Sequence, residues 1–312
     1  MSSEAQTGLK IPPGQIAGGG VTITAGESAD LIIDFDACAS ILQDGNGKYR
    51  LKPTLRAGEA GTNSNSISGK VVDNANHLPV AGAVVLLEQP DANSIDREVR
   101  AGVTDSGGNF IFCPLPSGNY DVVVAAYATT ATRLATTYNA TITFNVTLGT
   151  ALQSIPLIPE ATTGFTSAPA TITGQVTTAG PSGATVGDIT ISALQQATPV
   201  GGSSPLQVTV PVFGSPSQPP VVTTAACSGN EDCSNFVLQV PASNPEVGTF
   251  AGGAVAYATP TAGSVMYSVN ATTPDCTASS LSSATIGPVA VTAGSTTAMS
   301  AILAFTGCTA PQ

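Results

Sequence analysis

Short runs in which apolar and polar residues alternate recur along most of the chain, and each run ends at Gly, Pro, Asn or Asp. A period of two is typical of half-buried β-strands, and the turn residues mark where a strand reverses. The clearest series lies between residues 66 and 126, where four such runs follow one another. Within it, Asp105–Asn109 offers the residues that a tight hairpin needs. Very little of the chain has a helical period, so the pattern predicts an all-β protein.

The same pattern predicts three domains. Residues 58–65 and 160–168 are polar stretches that read as linkers. After the second linker the order of residues restarts, because Ala170–Thr177 mirrors Asn65–Val72. We therefore expect domains at residues 1–62, 63–160 and 161–312, built as tandem antiparallel β-sandwiches of the transthyretin or immunoglobulin type. The third domain would be a diverged and enlarged copy of the second.

Four elements between residues 66 and 124 carry a resemblance to a known family. They read, in order, SGKVVD, PVAGAVVLLE, TDSGGNFIF and LPSGNYDVVV. This order resembles the carboxypeptidase-regulatory-like domain, which is a transthyretin-like β-sandwich. The resemblance implies a non-catalytic module appended to secreted or envelope proteins, and hence a place and an architectural role but no reaction.

The start of the chain carries a second resemblance. The segments TGLKIPPGQI and DLIIDFDACASILQDGNGKYRLKPTLRAGE are similar to the C-terminal part of a bacterial envelope domain of unknown function. That domain stands directly before a regulatory-like sandwich in lipoprotein-like proteins. Its N-terminal strands are absent here, so the resemblance implies that the first domain, residues 1–62, is incomplete.

An incomplete sheet predicts an assembly edge. Leu31, Ile33 and Phe35 alternate along one predicted strand and lie on one face of it. A sheet that lacks strands exposes unpaired edges, and such edges recruit strands from another chain. Two alternatives remain open at this point: an unnatural boundary at the start of the chain, or a self-sufficient hairpin packed on its neighbour.

Composition changes the picture in two respects. Hydrophobic residues make up 42% of the chain and charged residues only 9%, with no Trp, which indicates a folded, Thr- and Ser-rich β-protein and not a disordered one. The net charge of −11 and the scattered Lys and Arg exclude a nucleic-acid interface. No apolar run reaches the length of a membrane span, and no export signal precedes the first predicted strand.

The six cysteines are an even number in an all-β, Thr-rich chain, which predicts disulfides and an oxidising compartment. None forms the CxxC pair of a zinc site, so a zinc site is not expected. Cys227 and Cys233 bracket one polar loop. Cys276 and Cys308 would pair by proximity in the last domain. Cys38 and Cys113 would then tie the first segment to the second domain, or they would be buried free thiols.

No arrangement of side chains predicts catalysis, so we expect no catalytic, cofactor-binding or metal-binding residues and no enzyme activity. The single His, His77, lies in a polar turn and reads as a solvated loop residue. Carboxylates that might pair for glycoside hydrolysis fall in predicted turns and lack an aromatic-lined cleft. They are Asp34, Asp36, Asp44, Glu231 and Asp232. Two of these stretches also offer calcium ligands, but neither has an EF-hand pattern.

These expectations combine into one function. The chain would be a non-catalytic, secreted or cell-surface structural module, a fibre or surface-rod subunit that completes its β-sheets with a neighbouring chain. Its expected partner is a protein, either a second copy or an envelope component. The alternative is a carbohydrate- or protein-binding accessory module of a bacterial envelope lipoprotein. Sugar binding would need exposed aromatic platforms, for which the candidates are Tyr127, Tyr138, Tyr257 and Tyr267.

Overall fold

A computed structural model describes residues 31–36, 41–43, 49–51, 54–59, 65–113, 115–128, 135–160, 167–179, 189–213, 223–225, 231–258, 260, 262–273, 276, 282–306 and 308 of the 312. In these ranges nearly all regular structure is β-strand, and there is no α-helix. The all-β class is therefore confirmed.

The strands follow one another along the chain as follows. The first twelve are β1 (Leu31–Asp36), β2 (Ile41–Gln43), β3 (Tyr49–Leu51), β4 (Thr54–Glu59), β5 (Ile67–Asp73), β6 (Val84–Pro90), β7 (Ile95–Val103), β8 (Asn109–Phe112), β9 (Asn119–Ala125), β10 (Tyr127–Ala128), β11 (Thr136–Thr137) and β12 (Thr141–Thr147). The remaining twelve are β13 (Thr150–Leu157), β14 (Ala170–Ala179), β15 (Thr190–Ala197), β16 (Leu206–Val210), β17 (Thr223–Ala225), β18 (Glu231–Val240), β19 (Glu246–Thr249), β20 (Tyr257–Ala258), β21 (Val265–Thr273), β22 (Ser282–Val291), β23 (Thr296–Ala298) and β24 (Leu303–Thr306).

The chain divides into two compact units. Unit 1 comprises residues 1–68, 111–119 and 147–151. In it, β1 pairs with β4 and β2 pairs with β3, each pair antiparallel and two-stranded. Unit 2 comprises residues 69–110, 120–146 and 152–312, and it contains the large sheets.

The main feature of unit 2 is a ten-stranded sheet in the order β20-β19-β12-β9-β6-β7-β16-β15-β21-β22. Four adjacent strands in the middle of this sheet come from residues 84–147, the part of the chain that carries the regulatory-like motifs. They are β12, β9, β6 and β7, here called the first strand set. They are flanked on both sides by the second strand set, β15, β16 and β19–β22. The two sets meet at two parallel pairs, the β7–β16 join and the β12–β19 join. Strands from both sides of the expected boundary at residue 160 thus share one sheet, and that boundary stays a prediction about sequence modules.

Two smaller sheets complete unit 2. Parts of β13, β5 and β8 form one sheet in that order. The other has the order β17-β18-β14-β23, with β24 also on β14. In it β14 pairs antiparallel with β18 over ten residue pairs, but parallel with β23 and β24. The sheets are therefore mixed, whereas the sequence pattern predicted antiparallel pairing throughout.

The turn predicted at Asp105–Asn109 forms, but it is not a hairpin, because β7 lies in the ten-stranded sheet and β8 in the sheet with β5 and β13. The residues of this turn explain its shape. Asp105 accepts hydrogen bonds at Oδ1 from the backbone N–H groups of Gly107 and Asn109, both at 2.8 Å. Gly108 adopts a φ of 75°, and a Cβ there would lie 2.5 Å from the carbonyl oxygen of Val71. Only glycine satisfies both the left-handed backbone and this close approach.

The core of unit 2 consists of β-branched, aromatic and small residues from facing sheets. One cluster gathers around Phe236, Tyr267 and Ile172, all fully or almost fully buried. A smaller cluster lies on one face of the ten-stranded sheet and joins the first strand set to the second, since Leu86 and Val123 pack in it with Val208. Apolar burial of this kind stabilises a fold by about 25 cal/mol per Å² of apolar surface removed from water.

Candidate functional site

The proposed assembly edge lies on β1, which has one described partner. The antiparallel register places Leu31 opposite Glu59, Ile33 opposite Ala57 and Phe35 opposite Leu55. Among the described residues, β1 and β4 pair only with each other. The three edge residues therefore share a strand in the predicted alternation, and their role in assembly stays a prediction.

The cysteines partly follow the expected pairing. Cys276 and Cys308 form a disulfide across a sequence separation of 32 residues, and both are buried. Cys233 is also disulfide-bonded, and its expected partner Cys227 lies outside the described residues. Cys113 is a half-buried free thiol, so the expected disulfide between Cys38 and Cys113 is not formed, and the free-thiol alternative holds for Cys113. Cys38 itself lies outside the described residues.

Sequence reasoning missed the most unusual chemical feature of unit 2, a cluster of three buried carboxyls. Glu88 on β6, Asp96 on β7 and Asp121 on β9 are here called the carboxyl cluster. Glu88 and Asp96 are fully buried, and Asp121 is 8% exposed. The register pairs Glu88 with Asp121 across β6 and β9, and a bulge lies between Leu87 and Glu88. The available signal was an acidic residue inside an apolar strand run, in VVLLE and in YDVVV.

The hydrogen bonds around the carboxyl cluster are few. The backbone N–H of Thr209 donates to Glu88 Oε2 at 3.2 Å, and that of Asn145 donates to Asp121 Oδ1 at 2.7 Å. Glu88 Oε1 and both carboxyl oxygens of Asp96 are buried and receive no hydrogen bond from a described donor. A buried carboxylate without donors is costly, so protonation is the cheaper state.

Burial sets the protonation of these groups. Desolvation and then the neighbouring Asp96 raise the pKa of Glu88 well above its usual range. Desolvation, followed by the charge of Asp121, raises the pKa of Asp96 to about 8. Desolvation likewise raises the pKa of Asp121, although the hydrogen bond from the backbone N–H of Asn145 partly opposes it.

The carboxyl cluster lies at the β7–β16 join. Thr209 of β16 donates to Glu88 through its backbone, and its Oγ1 hydroxyl donates to the backbone carbonyl of Asp96 at 2.7 Å. The parallel register places Val208 beside Asp96. The strand that connects the second strand set to the first therefore contacts two of the three clustered acids.

Two further carboxyls, the buried Glu246 and the half-buried Glu160, lie at contacts between the same parts of the sequence. Glu246 begins β19, whose first backbone N–H donates to Ala140 beside β12 at 2.9 Å. Burial raises the pKa of Glu246 to about 7. Glu160 accepts the backbone N–H of Ala242 at 2.7 Å, and burial raises the pKa of Glu160 to about 7 as well.

The histidine and the acidic residues that the sequence offered as catalytic or metal-binding candidates do not form a common site among the described residues. His77 is exposed in a turn with a φ of 58°, as expected of a loop histidine. Asp34 and Asp36 lie on strand β1 and Glu231 and Asp232 on strand β18, so the prediction that these acids occupy turns is wrong; Asp44 lies outside the described residues. Among the described residues, no group of three His, Cys, Asp or Glu side chains is placed to hold a metal ion.

Two surface grooves, of about 510 and 440 Å³, are found in the described part of unit 2. The larger is lined by β14, β18 and the segment between β23 and β24, and the smaller by the ends of β15 and β21 with nearby loops. Neither is lined by a titratable side chain. The Ser and Thr hydroxyls that line these grooves therefore have no titratable side chain beside them in the lining to act as a general base.

The tyrosines offer little surface for stacking a sugar. Tyr138 and Tyr267 are almost fully buried, as the pattern predicted for at least two of the four. The hydroxyl of Tyr257 shares a 2.8 Å hydrogen bond with Thr143, and burial raises the pKa of Tyr257 to about 12. Only Tyr127 of the four is exposed, at 42%, with its ring 6.2 Å from that of Phe213.

Comparison with known proteins confirms both sequence resemblances. A family model described as the carboxypeptidase regulatory-like domain matches residues 66–149. A model described as a domain of unknown function (DUF4382) matches residues 1–53. None of the curated proteins matches the chain in sequence. In the described residues no helix is long and apolar enough to cross a membrane.

Solved structures resemble the chain only distantly. They include GBS52, the minor pilin of Streptococcus agalactiae, at 11% identity, covering 80% of this chain and 98% of that one with a TM-score of 0.19. BcpA, the major pilin subunit of Bacillus cereus, is 12% identical, with coverage of 73% and 69% and a TM-score of 0.22. A putative adhesin from Bacteroides ovatus is 12% identical, with coverage of 72% and 82% and a TM-score of 0.20. Scores this low carry no argument about function.

Proposed function

We propose that this chain is a non-catalytic structural and assembly module of a secreted or cell-surface protein. In this proposal it is a fibre or surface-rod subunit that completes a β-sheet with a neighbouring chain. The observation that carries the proposal is the β1–β4 pair. Its two strands have only each other as described partners, and Leu31, Ile33 and Phe35 alternate along β1.

A two-stranded sheet is marginally stable in water unless something covers its apolar face or extends its edge. A strand from a second copy would supply backbone hydrogen bonds along the edge of β1 opposite β4 and apolar side chains beside Leu31, Ile33 and Phe35. A protein partner is therefore the partner class that the edge chemistry fits. The net charge of −11 disfavours nucleic acid as the partner.

Two observations support the extracellular placement. Residues 66–149 match a domain that we expect on secreted and envelope proteins. The disulfide between Cys276 and Cys308, together with the disulfide-bonded Cys233, indicates folding in an oxidising compartment. The absence of a titratable side chain from both grooves supports a non-catalytic role.

The test is the mass of the non-reduced chain in solution, measured by sedimentation equilibrium from low to high micromolar concentration. The proposal predicts a mass that rises with concentration and regular particles or fibres in negative-stain images of the same samples. Ile33→Asp should lower the association. The matched control is Ile32→Asp, because adjacent strand residues lie on opposite faces and position 32 pairs with Gly58 on the other face. A wild-type chain that stays strictly monomeric would overturn the assembly proposal.

A further inference from the structure

The joins between the two strand sets carry an unusual density of buried acids. The carboxyl cluster lies at the β7–β16 join and Glu246 at the β12–β19 join, while Glu160 accepts from Ala242 just before β19. The chain has only 20 Asp and Glu residues in all. Buried acids are rare in protein interiors unless they are paired. The ionisation of these acids should therefore affect the stability of the joins.

The groups that surround the carboxyl cluster are themselves acidic. Asp96 and Asp121 act on Glu88, and Glu98 of β7 adds to them. Asp121 and Asp91 act on Asp96. On the same strand, Arg97 is engaged elsewhere, through a 3.0 Å ion pair with Asp91 and a hydrogen bond to Asn270 of β21. Arg100 of β7 is buried as well.

Ionisation of the cluster would strain the join itself. Two carboxylates on neighbouring strands repel each other, and in a buried site this repulsion is weakly screened. Relief requires water to reach the cluster. Thr209 is the strand β16 residue that closes over Glu88 and Asp96, through its backbone N–H and its hydroxyl. Separation of β16 from β7 would remove both of these contacts and let water reach Glu88 and Asp96.

We propose that the β7–β16 join is a pH-sensitive contact, closed while the carboxyl cluster of Glu88, Asp96 and Asp121 holds its protons and opened when the cluster ionises. The second strand set is then coupled to the first by protons as well as by apolar packing. The device makes unit 2 most stable in acid and progressively looser toward alkaline pH. It is independent of the proposed assembly through β1.

The sign of the pH dependence follows from the raised pKa values. Between the ordinary pKa of an unfolded carboxyl, about 4, and the raised value in the folded protein, the folded state binds more protons than the unfolded state. Stability due to such a group is fully present below the unfolded pKa and is lost as pH rises through the folded pKa. For each proton held in this way, the ratio of folded to unfolded protein falls about tenfold per pH unit.

The test is a series of urea unfolding curves on the disulfide-intact full chain between pH 5 and pH 9. The wild-type ratio of folded to unfolded protein should fall at least about tenfold per pH unit up to about pH 8. The Asp96→Asn and Glu88→Gln variants cannot ionise at those positions, so each should flatten this slope. Asp105→Asn, which replaces an exposed acid in the turn between β7 and β8, is the matched control and should keep the wild-type slope.

Hydrogen exchange on the wild-type chain locates the effect and does not depend on the variants folding. After correction for the intrinsic exchange rate, protection of β16 and β7 should fall between pH 5.5 and pH 8.5, while β18 stays protected. A flat or rising wild-type slope would overturn the proposal. So would unchanged slopes in both amide variants, or a loss of protection that spares β16.

Discussion

Strands β5 and β14 begin the two sequence repeats, and they share a local pattern but differ in their partners. The pattern is Ile-x-Gly-x-Val, at residues 67–71 and at residues 172–176. In both strands an aromatic ring lies over the glycine. A Cβ on Gly69 would lie 2.7 Å from the ring of Phe110, and a Cβ on Gly174 would lie 2.4 Å from the ring of Phe236. The repeat predicted from sequence thus has a common physical basis, a glycine that makes room for a phenylalanine.

The partners of the two strands show what local sequence does not specify. The sheet of β5 is built with β8 and β13, and β8 follows directly after the short Asp105–Asn109 turn. Strand β14 instead pairs in parallel with β23 and β24, more than a hundred residues further along the chain. Those late strands lie within the loop that the Cys276–Cys308 disulfide closes. The first repeat is completed by a local turn and the second by distant pairing held with a covalent link.

The largest expected effect comes from removing the disulfide that holds the second repeat. The Cys276→Ala/Cys308→Ala double variant should lose about 3 to 4 kcal/mol of unfolding free energy, because the bond closes a 32-residue loop in the unfolded chain. Urea unfolding of the double variant against the wild type measures it. Cys113→Ala, which removes a free thiol, is the control. A double variant as stable as the wild type would mean that β23 and β24 are held by pairing alone.

The glycines test whether the shared pattern has a shared cause. Gly69→Ala and Gly174→Ala should each cost about 1 to 3 kcal/mol, because the added methyl displaces a buried ring. The larger cost is expected at Gly174, where Met299 Sδ also lies 2.8 Å from the added carbon. Gly253→Ala, with nothing within 4 Å, is the control and should change little. Equal stability of all three variants would refute the packing explanation.

The smallest expected effect compares one buried tyrosine in each repeat. The Tyr138 hydroxyl donates to Asp73 Oδ2 at 3.0 Å, and the Tyr267 hydroxyl donates to the carbonyl of Pro241 at 2.8 Å. Hydrogen bonds to charged groups are worth about 1.5 to 3 kcal/mol and neutral ones about 0.5 to 1.5. Tyr138→Phe should therefore cost about 1 kcal/mol more than Tyr267→Phe in thermal or urea unfolding above pH 5. The reverse order would show that Asp73 does not depend on this donor.

Sequence patterns predicted the elements better than their pairing. The strands that dominate the fold follow the predicted alternation, and the turn at Asp105–Asn109 has a glycine, Gly108, with the expected positive φ. The parallel pairing of β16 with β7 was not predicted. Alternation of apolar and polar residues shows only that one face of a strand is buried. It does not select a neighbouring strand, because many strands of the chain have the same period. The partner is chosen by packing over the whole unit.

In the candidate sites, too, sequence predicted features that are local in the chain and missed those that depend on strand pairing. The disulfide between Cys276 and Cys308 could be inferred from nearness in the sequence, whereas Cys113 is free although it completes an even count. The carboxyl cluster was missed because Glu88, Asp96 and Asp121 are separated along the chain and meet only through the register of three strands. Their burial depends on β16 closing over them, which is a property of the join between the strand sets.

The central structural claim is that both strand sets form one cooperative sheet. Native-state hydrogen exchange under increasing urea tests it most directly at pH 5.5, where the carboxyl cluster is protonated and the β7–β16 join is closed. It is read at residues 84–103 of the first set and at residues 190–210 and 265–273 of the second. All three segments should converge on one opening free energy and one urea dependence, because they share a ten-stranded sheet. Opening of the second set at a lower urea concentration, while residues 84–103 stay protected, would contradict the claim and would show that the two strand sets open separately.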